Sequence, residues 1–307
     1  MSTLNYANSS DLPILCEYGA FPLESRAELE RLALQLRVDT VETTYYSGTG
    51  SSHIGGELSC AEILAVLYGS ALRLRPEEPE WPDRDVFIMS KGHCSAVMYA
   101  AMAWRGFFPR EKLWNEFNRV GGELQEHCNF HLAGVEAVTG SLGMGLSNAC
   151  GFAWAAGRRG QAGRRVYCLL GDGECTEGQT WEGAGLAAQL RLDNVVALLD
   201  YNKYIISASV AEVMNLEPIE SRFADFGWHV SRVDGHDVMA LKEAVETAAR
   251  PETAPGKPRI VICDTVKGRG IGFMEREAVN WHAGHLDAES RLRCLEELGV
   301  AGGNGNG

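Results

Sequence analysis

Two short stretches carry the residue types best suited to chemistry. "VYCLLGDGECTEG" is an apolar run ending in Gly171-Asp172-Gly173, and "NVVALLDYNKY" is a second run ending in Asp200-Tyr201-Asn202. A carboxylate and an amide oxygen brought together are hard ligands. With backbone carbonyls and phosphate oxygens completing the shell, they suit Mg²⁺ or Ca²⁺. Glycines on both sides of Asp172 allow a tight turn and let backbone N–H groups approach a phosphate. A helix beginning just beyond would offer its positive end to the same anion. A lone Gly-Asp-Gly is most often only a turn. The order strand, Gly-Asp-Gly, helix, strand, Asn is much harder to reach by accident.

For Asp172 to meet Asn202, the two apolar runs must be adjacent parallel strands. "RVYCLL" (165–170) and "NVVALLD" (194–200) are nearly continuous apolar runs, as expected of strands covered on both faces, and a helical segment (177–191) separates them. That is a βαβ unit, and ligands of open α/β sheets sit at the carboxyl ends of the strands. Further elements surround it. A helix opens at Ser25, with Glu28 at capping-box spacing and Leu29, Leu32 and Leu36 on one face. Helices are also expected over 59–72, over 95–106 with Gly106 as its stop, and over 237–250; strands are expected over 85–90 and 259–265. There is no internal repeat. The expected organisation is an irregular lead-in over 1–24, one α/β domain over 25–285, and a C-terminal helix with a flexible Gly/Asn-rich tail over 286–307.

Composition narrows the class. The 307 residues are 45% hydrophobic and 22% charged, which is ordinary for a soluble globular protein. A formal charge of -13 argues against nucleic acid or a membrane surface as the main partner, though not against an anionic ligand held by backbone N–H groups and a metal. Nine cysteines occur without any C-x-x-C pair, several inside apolar runs such as "VYCLL" and "IVICD". Reduced thiols in a cytoplasmic protein are expected. The N-terminus has neither a basic start nor a long apolar stretch, and no segment is long enough to cross a bilayer.

"GDGECTEGQTWEGAGLAAQLRLDNVVALLDYNKY" resembles the thiamine-diphosphate motif in its transketolase version. The likeness extends to "SSHIGGELSCAEILAVLY", "MSKGHCSAVMYA", "EHCNFHLAGVEAVTGSLGMGLSNACGFA", "FGWHVSRVDGHD" and "TVKGRGIGFMEREAVNWHAGH". It implies a parallel-sheet, three-layer αβα domain of the thiamine-diphosphate-binding fold. It assigns Asp172, Asn202 and the Tyr204 carbonyl to a divalent metal, Mg²⁺ with Ca²⁺ or Mn²⁺ also suited. Gly173, His93 and His282 would face the cofactor's diphosphate, with Lys267 beside it. Gly140 and Leu142 would contact the aminopyrimidine, and Ile206 the thiazolium. His53 and His127 would line the substrate channel and, with His282, serve catalysis. Glu177 and Glu182 would lie near a subunit interface; as residues alone they are first-turn acids complementing a helix dipole. His131, His229, His236 and His285 are read as ordinary.

In the resembling family a pyrimidine-binding domain and a third domain follow this region. The resemblance therefore implies the N-terminal subunit of a split, two-subunit transketolase, working with a separate C-terminal subunit in an α2β2 assembly. The implied reaction moves a two-carbon ketol unit from a ketose-like donor to an aldehyde acceptor. A subunit of a 2-oxoacid-using dehydrogenase, decarboxylase or acyl transferase is the alternative enzyme, and a non-catalytic scaffold subunit is the alternative class. Departures from the pattern include Ser52, Cys128, Gly183, Ala283 and the pair Ser207-Ala208; they leave the substrate open.

Overall fold

The computed structural model describes residues 12–161 and 163–300. Five strands form one parallel sheet: β1 Val86–Met89, β2 Val166–Gly171, β3 Val195–Tyr201, β4 His229–Asp234 and β5 Arg259–Asp264, in the order β1-β2-β3-β5-β4. The helices that shape the site are α1 Arg26–Tyr46, α2 Ile54–Ser59, α3 Ala61–Val66, α4 Ser95–Arg105, α5 Met144–Arg158, α6 Gly178–Gln189, α7 Ile219–Asp225, α8 Val238–Ala248 and α9 Ala288–Glu297.

The apolar runs are explained by burial on both faces. Tyr167, Leu169, Val196, Leu198, Val261 and Cys263 face one core, which α1, α3, α4 and α8 close. The alternate residues Val166, Cys168, Leu170, Val195, Ala197, Leu199, Ile260 and Ile262 face a second core under α5, α6 and α7. The three layers follow from this alternation along the strands. β2 and β3 are neighbours in parallel register, with Gly171 opposite Asp200. That register brings the two oxygen-bearing strand ends side by side.

α1 starts as its sequence predicts. The Ser25 hydroxyl accepts the Glu28 N–H and the Glu28 carboxylate accepts the Ser25 N–H at 2.9 Å, the reciprocal capping box. Leu29, Leu32 and Leu36 are fully buried, each contributing on the order of 2 kcal/mol. Beyond Leu36 the helix is buried all round, and its acids need partners there: Asp39 pairs with Arg110, and Glu42 takes a two-pronged contact from Arg291 of α9 at 2.7 and 2.8 Å. α9 also packs Cys294, Leu295 and the following Leu298 against Val38 and Val41 of α1.

One expectation needs correction, and one strand was not foreseen. The helix placed at 59–72 starts earlier, at Ile54, breaks at Cys60 and ends in a wider π-type turn over Leu67–Ala71. Ser59 lies at the break, where its hydroxyl donates to Asp200 at 2.6 Å. The edge strand β4 had no apolar run to reveal it: His229–Asp234 is half-exposed, pairs only with β5, and alternates polar with apolar residues. The Gly/Asn-rich tail over 301–307 and residues 1–11 of the lead-in lie outside the described residues.

Candidate active site

A cavity of about 270 Å³ opens at the carboxyl ends of β2 and β3. Asp172, Asn202 and Tyr204 line it, as do Gly173, Glu177, Ile206, Lys267, Gly140 and Leu142, and the four histidines His53, His93, His127 and His282. Every residue nominated from sequence as catalytic, cofactor-binding or metal-binding therefore borders one space. Glu182 is exposed on α6 and does not line it.

Asp172 is buried at the strand end. One carboxylate oxygen accepts the Gly173 N–H at 2.7 Å and the other the Lys203 N–H. Burial, and then the charge of Asp200, pushes its carboxyl up to about 7. Among the described residues no cation forms an ion pair with it. A buried carboxylate in that condition is one that a bound cation stabilises. Asn202, whose side-chain oxygen takes the Tyr204 N–H at 3.2 Å, and Tyr204 line the same cavity and offer hard oxygen donors, so the set fits a divalent ion with phosphate oxygens in its shell.

Asp200 orients the second member of that set. Its carboxylate takes the Asn202 amide N–H at 3.0 Å, the Ser59 hydroxyl at 2.6 Å, the Thr265 hydroxyl and the Lys91 ammonium. A carboxylate only accepts, so the Asn202 NH₂ must face Asp200 and its oxygen must face away. Burial opposes ionisation of Asp200, but Lys91 overcomes it and holds the group below its ordinary range, while Lys91 is held well above its own. Sequence reasoning noted Asp200 only as a strand-end oxygen and missed Lys91, because nothing in their spacing joins residues 109 positions apart.

The histidines cluster. The His53 ring centroid lies 5.0 Å from that of His93, 5.2 Å from His282 and 6.4 Å from His127. Burial, then the Lys91 charge, pushes His93 well below the ordinary histidine value. Burial, then Lys267, pushes His282 down to about 3. The Lys267 ammonium contacts His282 Nδ1 at 2.9 Å and donates to the Ile205 carbonyl at 3.2 Å; burial, then Lys91, lowers it to about 8. At neutral pH that ammonium only donates, so His282 carries its proton on Nε2. Lys267 and the His282 Nε2–H give one side of the cavity donors for an anion, while the Lys91 charge is matched by Asp200.

Close backbone approach shapes the remaining wall. A side chain on Gly92 would meet the Thr139 carbonyl carbon at 2.7 Å and the Gly140 nitrogen at 2.8 Å, so only glycine lets the 139–143 loop lie against the end of β1. Glu174, not nominated from sequence, ties this region together by accepting the Ser90 hydroxyl, the Gly143 N–H at 2.8 Å and the Gly171 N–H at 3.1 Å. Glu177 caps α6 in position but makes no side-chain cap bond; it is exposed and lines the cavity, as does Ile206, which is 62% exposed. Of the histidines read as ordinary, His236 takes the Val266 N–H at 2.9 Å and contacts Glu62 at 3.1 Å, a bridge between α3 and the segment leading to Lys267.

Residues 28–302 match the family model described as transketolase, thiamine diphosphate binding domain. The 6-deoxy-6-sulfo-D-fructose transketolase subunit SqwG of Clostridium sp. (strain MSTE9) is 41% identical over 276 residues, covering 90% of this chain and 98% of that protein. This chain belongs to the transketolase family. One of the subunits of the apulose-4-phosphate transketolase of Phocaeicola vulgatus is 37% identical, over 88% of this chain and 95% of that one. The Homo sapiens transketolase is 36% identical, but this chain spans only 42% of its length. Among solved structures, Campylobacter jejuni transketolase superposes with a TM-score of 0.80 at 31% identity, covering 88% of this chain and 42% of that one. The chain is thus a transketolase-family transferase subunit whose cofactor is thiamine diphosphate. No helix among the described residues is long and apolar enough to cross a membrane.

Proposed function

We propose that this chain is the diphosphate- and metal-binding half of a cytoplasmic two-subunit transketolase. It works with a separate C-terminal, pyrimidine-binding subunit in an α2β2 assembly. The observation that carries the reading is the convergence of the Asp172/Asn202 oxygens, the four histidines and Lys267 on one cavity at the switch from strand to loop. The two relatives named as subunits, spanned over 98% and 95% of their length, support the split organisation. They also favour transketolase chemistry over the 2-oxoacid alternative. The cofactor-binding unit is assigned to residues 25–285, with α9 and the tail following it.

When bound, thiamine diphosphate supplies the carbon nucleophile that accepts the two-carbon unit. Asp172, Asn202 and the Tyr204 carbonyl hold Mg²⁺, with Ca²⁺ or Mn²⁺ as substitutes. His93 and the Nε2–H of His282 would meet the diphosphate, with Lys267 adding charge; the Gly173 N–H, given to Asp172 at 2.7 Å, would have to turn from that bond to join them. Leu142, Gly140 and Ile206 would hold the cofactor's rings, fixing the reacting carbon before substrate arrives. His53 and His127 hold hydroxyls and move protons, and Glu177 faces the partner subunit. One relative's name carries a sulfo sugar and the other's a sugar phosphate. The donor class is accordingly ketoses with an anionic group at the far end.

The test is reconstitution with the product of the neighbouring gene. The pair is expected to transfer a ketol unit from such ketoses to an aldehyde only when thiamine diphosphate and Mg²⁺ are present, and neither polypeptide should do so on its own. Turnover of 2-oxoacids with no turnover of ketoses would overturn the reading.

A further inference from the structure

We propose that Glu126, held by Asn118, is a positioning residue that keeps the His53 proton on Nδ1 and leaves Nε2 as the proton-accepting atom of the cavity. The role rests on the ketol-transfer reading above and adds to it a residue that neither the motifs nor the cavity lining singles out.

His53 Nδ1 lies 2.7 Å from Glu126 Oε1. An ionised carboxylate only accepts hydrogen bonds, so the neutral imidazole keeps its proton on that side and its lone pair on Nε2. Burial opposes ionisation of Glu126, yet its bond to His53 holds the carboxyl below the ordinary range. Asn118 fixes Glu126 from behind: its side-chain oxygen takes the Glu126 N–H at 2.9 Å, and its amide nitrogen lies 3.5 Å from Glu126 Oε2. Asn118 itself is locked. It has φ +51, a left-handed conformation that asparagine tolerates better than most residues, and its N–H bonds the Leu124 carbonyl at 2.9 Å. The Asn118 carbonyl packs so closely on Gly48 that an added side chain there would sit 2.0 Å from it. Nucleophile-activating and metal-binding histidines are held by the same logic of ring, orienter and third group.

The other three rings do not share this arrangement. Lys267 imposes the opposite tautomer on His282. No hydrogen bond to the His93 or His127 ring occurs among the described residues. The groups that face His53 are these three rings, Glu126, and Glu57 on α2, which lies behind Ser52. His53 is thus the one ring of the four backed by a directly bonded carboxylate. As the donor's carbon–carbon bond breaks, its hydroxyl proton passes to Nε2, and the O–H electron pair becomes the second bond of the released aldehyde. The carbon–carbon pair stays with the two-carbon fragment. The same proton returns to the oxygen of the acceptor aldehyde when the new bond forms, so no net proton is taken up. The Glu126 carboxylate stabilises the imidazolium between the two steps.

The experiment compares wild type with Glu126→Gln and Glu126→Asp in the assembled two-subunit complex with thiamine diphosphate and Mg²⁺. Glu126→Gln should lower kcat about 10- to 100-fold, with KM and the calorimetric affinity for thiamine diphosphate changed less than about threefold. Glu126→Asp should recover part of the loss. In the cofactor-loaded full chain labelled with ¹⁵N-histidine, the His53 signals, assigned by their loss in His53→Gln, should report protonated Nδ1 in wild type and a mixed or reversed tautomer in Glu126→Gln. Wild-type kcat in Glu126→Gln, a protonated Nε2 in wild type, or a fall in kcat that merely follows lost cofactor binding would each overturn the proposal. Absence of ketol transfer by the wild-type complex would count against the proposed function alone, and the tautomer would still decide the role of Glu126.

Discussion

Glu57 shows how one residue records its surroundings. It is fully buried on α2, with its carboxylate taking the Ser52 hydroxyl at 2.7 Å and the Ala96 N–H at 3.2 Å. Burial dominates these bonds and raises its carboxyl from 4.5 to about 7. Between those two values the folded chain binds more protons than the unfolded one, so this group makes stability fall as pH rises through that window. The loss is on the order of 3 kcal/mol once Glu57 is ionised. Glu57→Gln keeps the shape, can still accept the Ala96 N–H, and removes the titration. Melting curves from pH 5 to pH 8 should show wild type losing several degrees relative to the variant; parallel curves would contradict the buried-acid reading. Ser52, a departure from the family pattern, has its reason here as the donor to Glu57. At this scale the sequence was legible where small residues bracket one that lines the cavity, as at Asp172, His93 and Gly140. It was silent on Lys91, Glu126 and Glu174, single charged residues whose main partners, Asp200, His53 and Ser90, lie far away in sequence and leave no spacing to read.

At the scale of elements, the site is a junction of strand ends and the loops that leave them. Two-sided burial made β2, β3 and β5 readable as apolar runs, and their parallel pairing followed from the helix between the first two. β4 was hidden because its polar residues interrupt any apolar run and leave Val230 and Val233 only half-buried, and the break between α2 and α3 at Cys60 was hidden because the contact beside it, Ser59 with Asp200, spans 141 positions. Glu174 joins β1, β2 and the 139–143 loop by accepting three donors with two oxygens. Glu174→Gln would turn an NH₂ toward one of these donors, most directly the Gly171 N–H, and leave it unsatisfied. A loss of about 1–3 kcal/mol is expected, seen as a lower denaturation midpoint with unchanged slope and faster amide exchange in the loop. An unchanged midpoint and unchanged exchange would show that the three contacts do not hold the loop.

Across the whole molecule, an acidic surface surrounds a cavity that buries two ammonium groups among its carboxylates. The net charge of -13 gave no hint of this, since Lys91 and Lys267 are two of 28 basic residues and are buried at the site. The cavity's mouth is open and partly apolar, with Ile206 62% and Tyr204 37% exposed, as suits a wall completed by another polypeptide. The most direct measurement is calorimetric titration of thiamine diphosphate into the assembled complex, with and without Mg²⁺, for wild type and Asp172→Ala. Wild type should bind only when the metal is present, and Asp172→Ala should show no metal-dependent binding while retaining its assembly with the partner. Undiminished, metal-dependent binding by Asp172→Ala would contradict the assignment of the cation to the ends of β2 and β3.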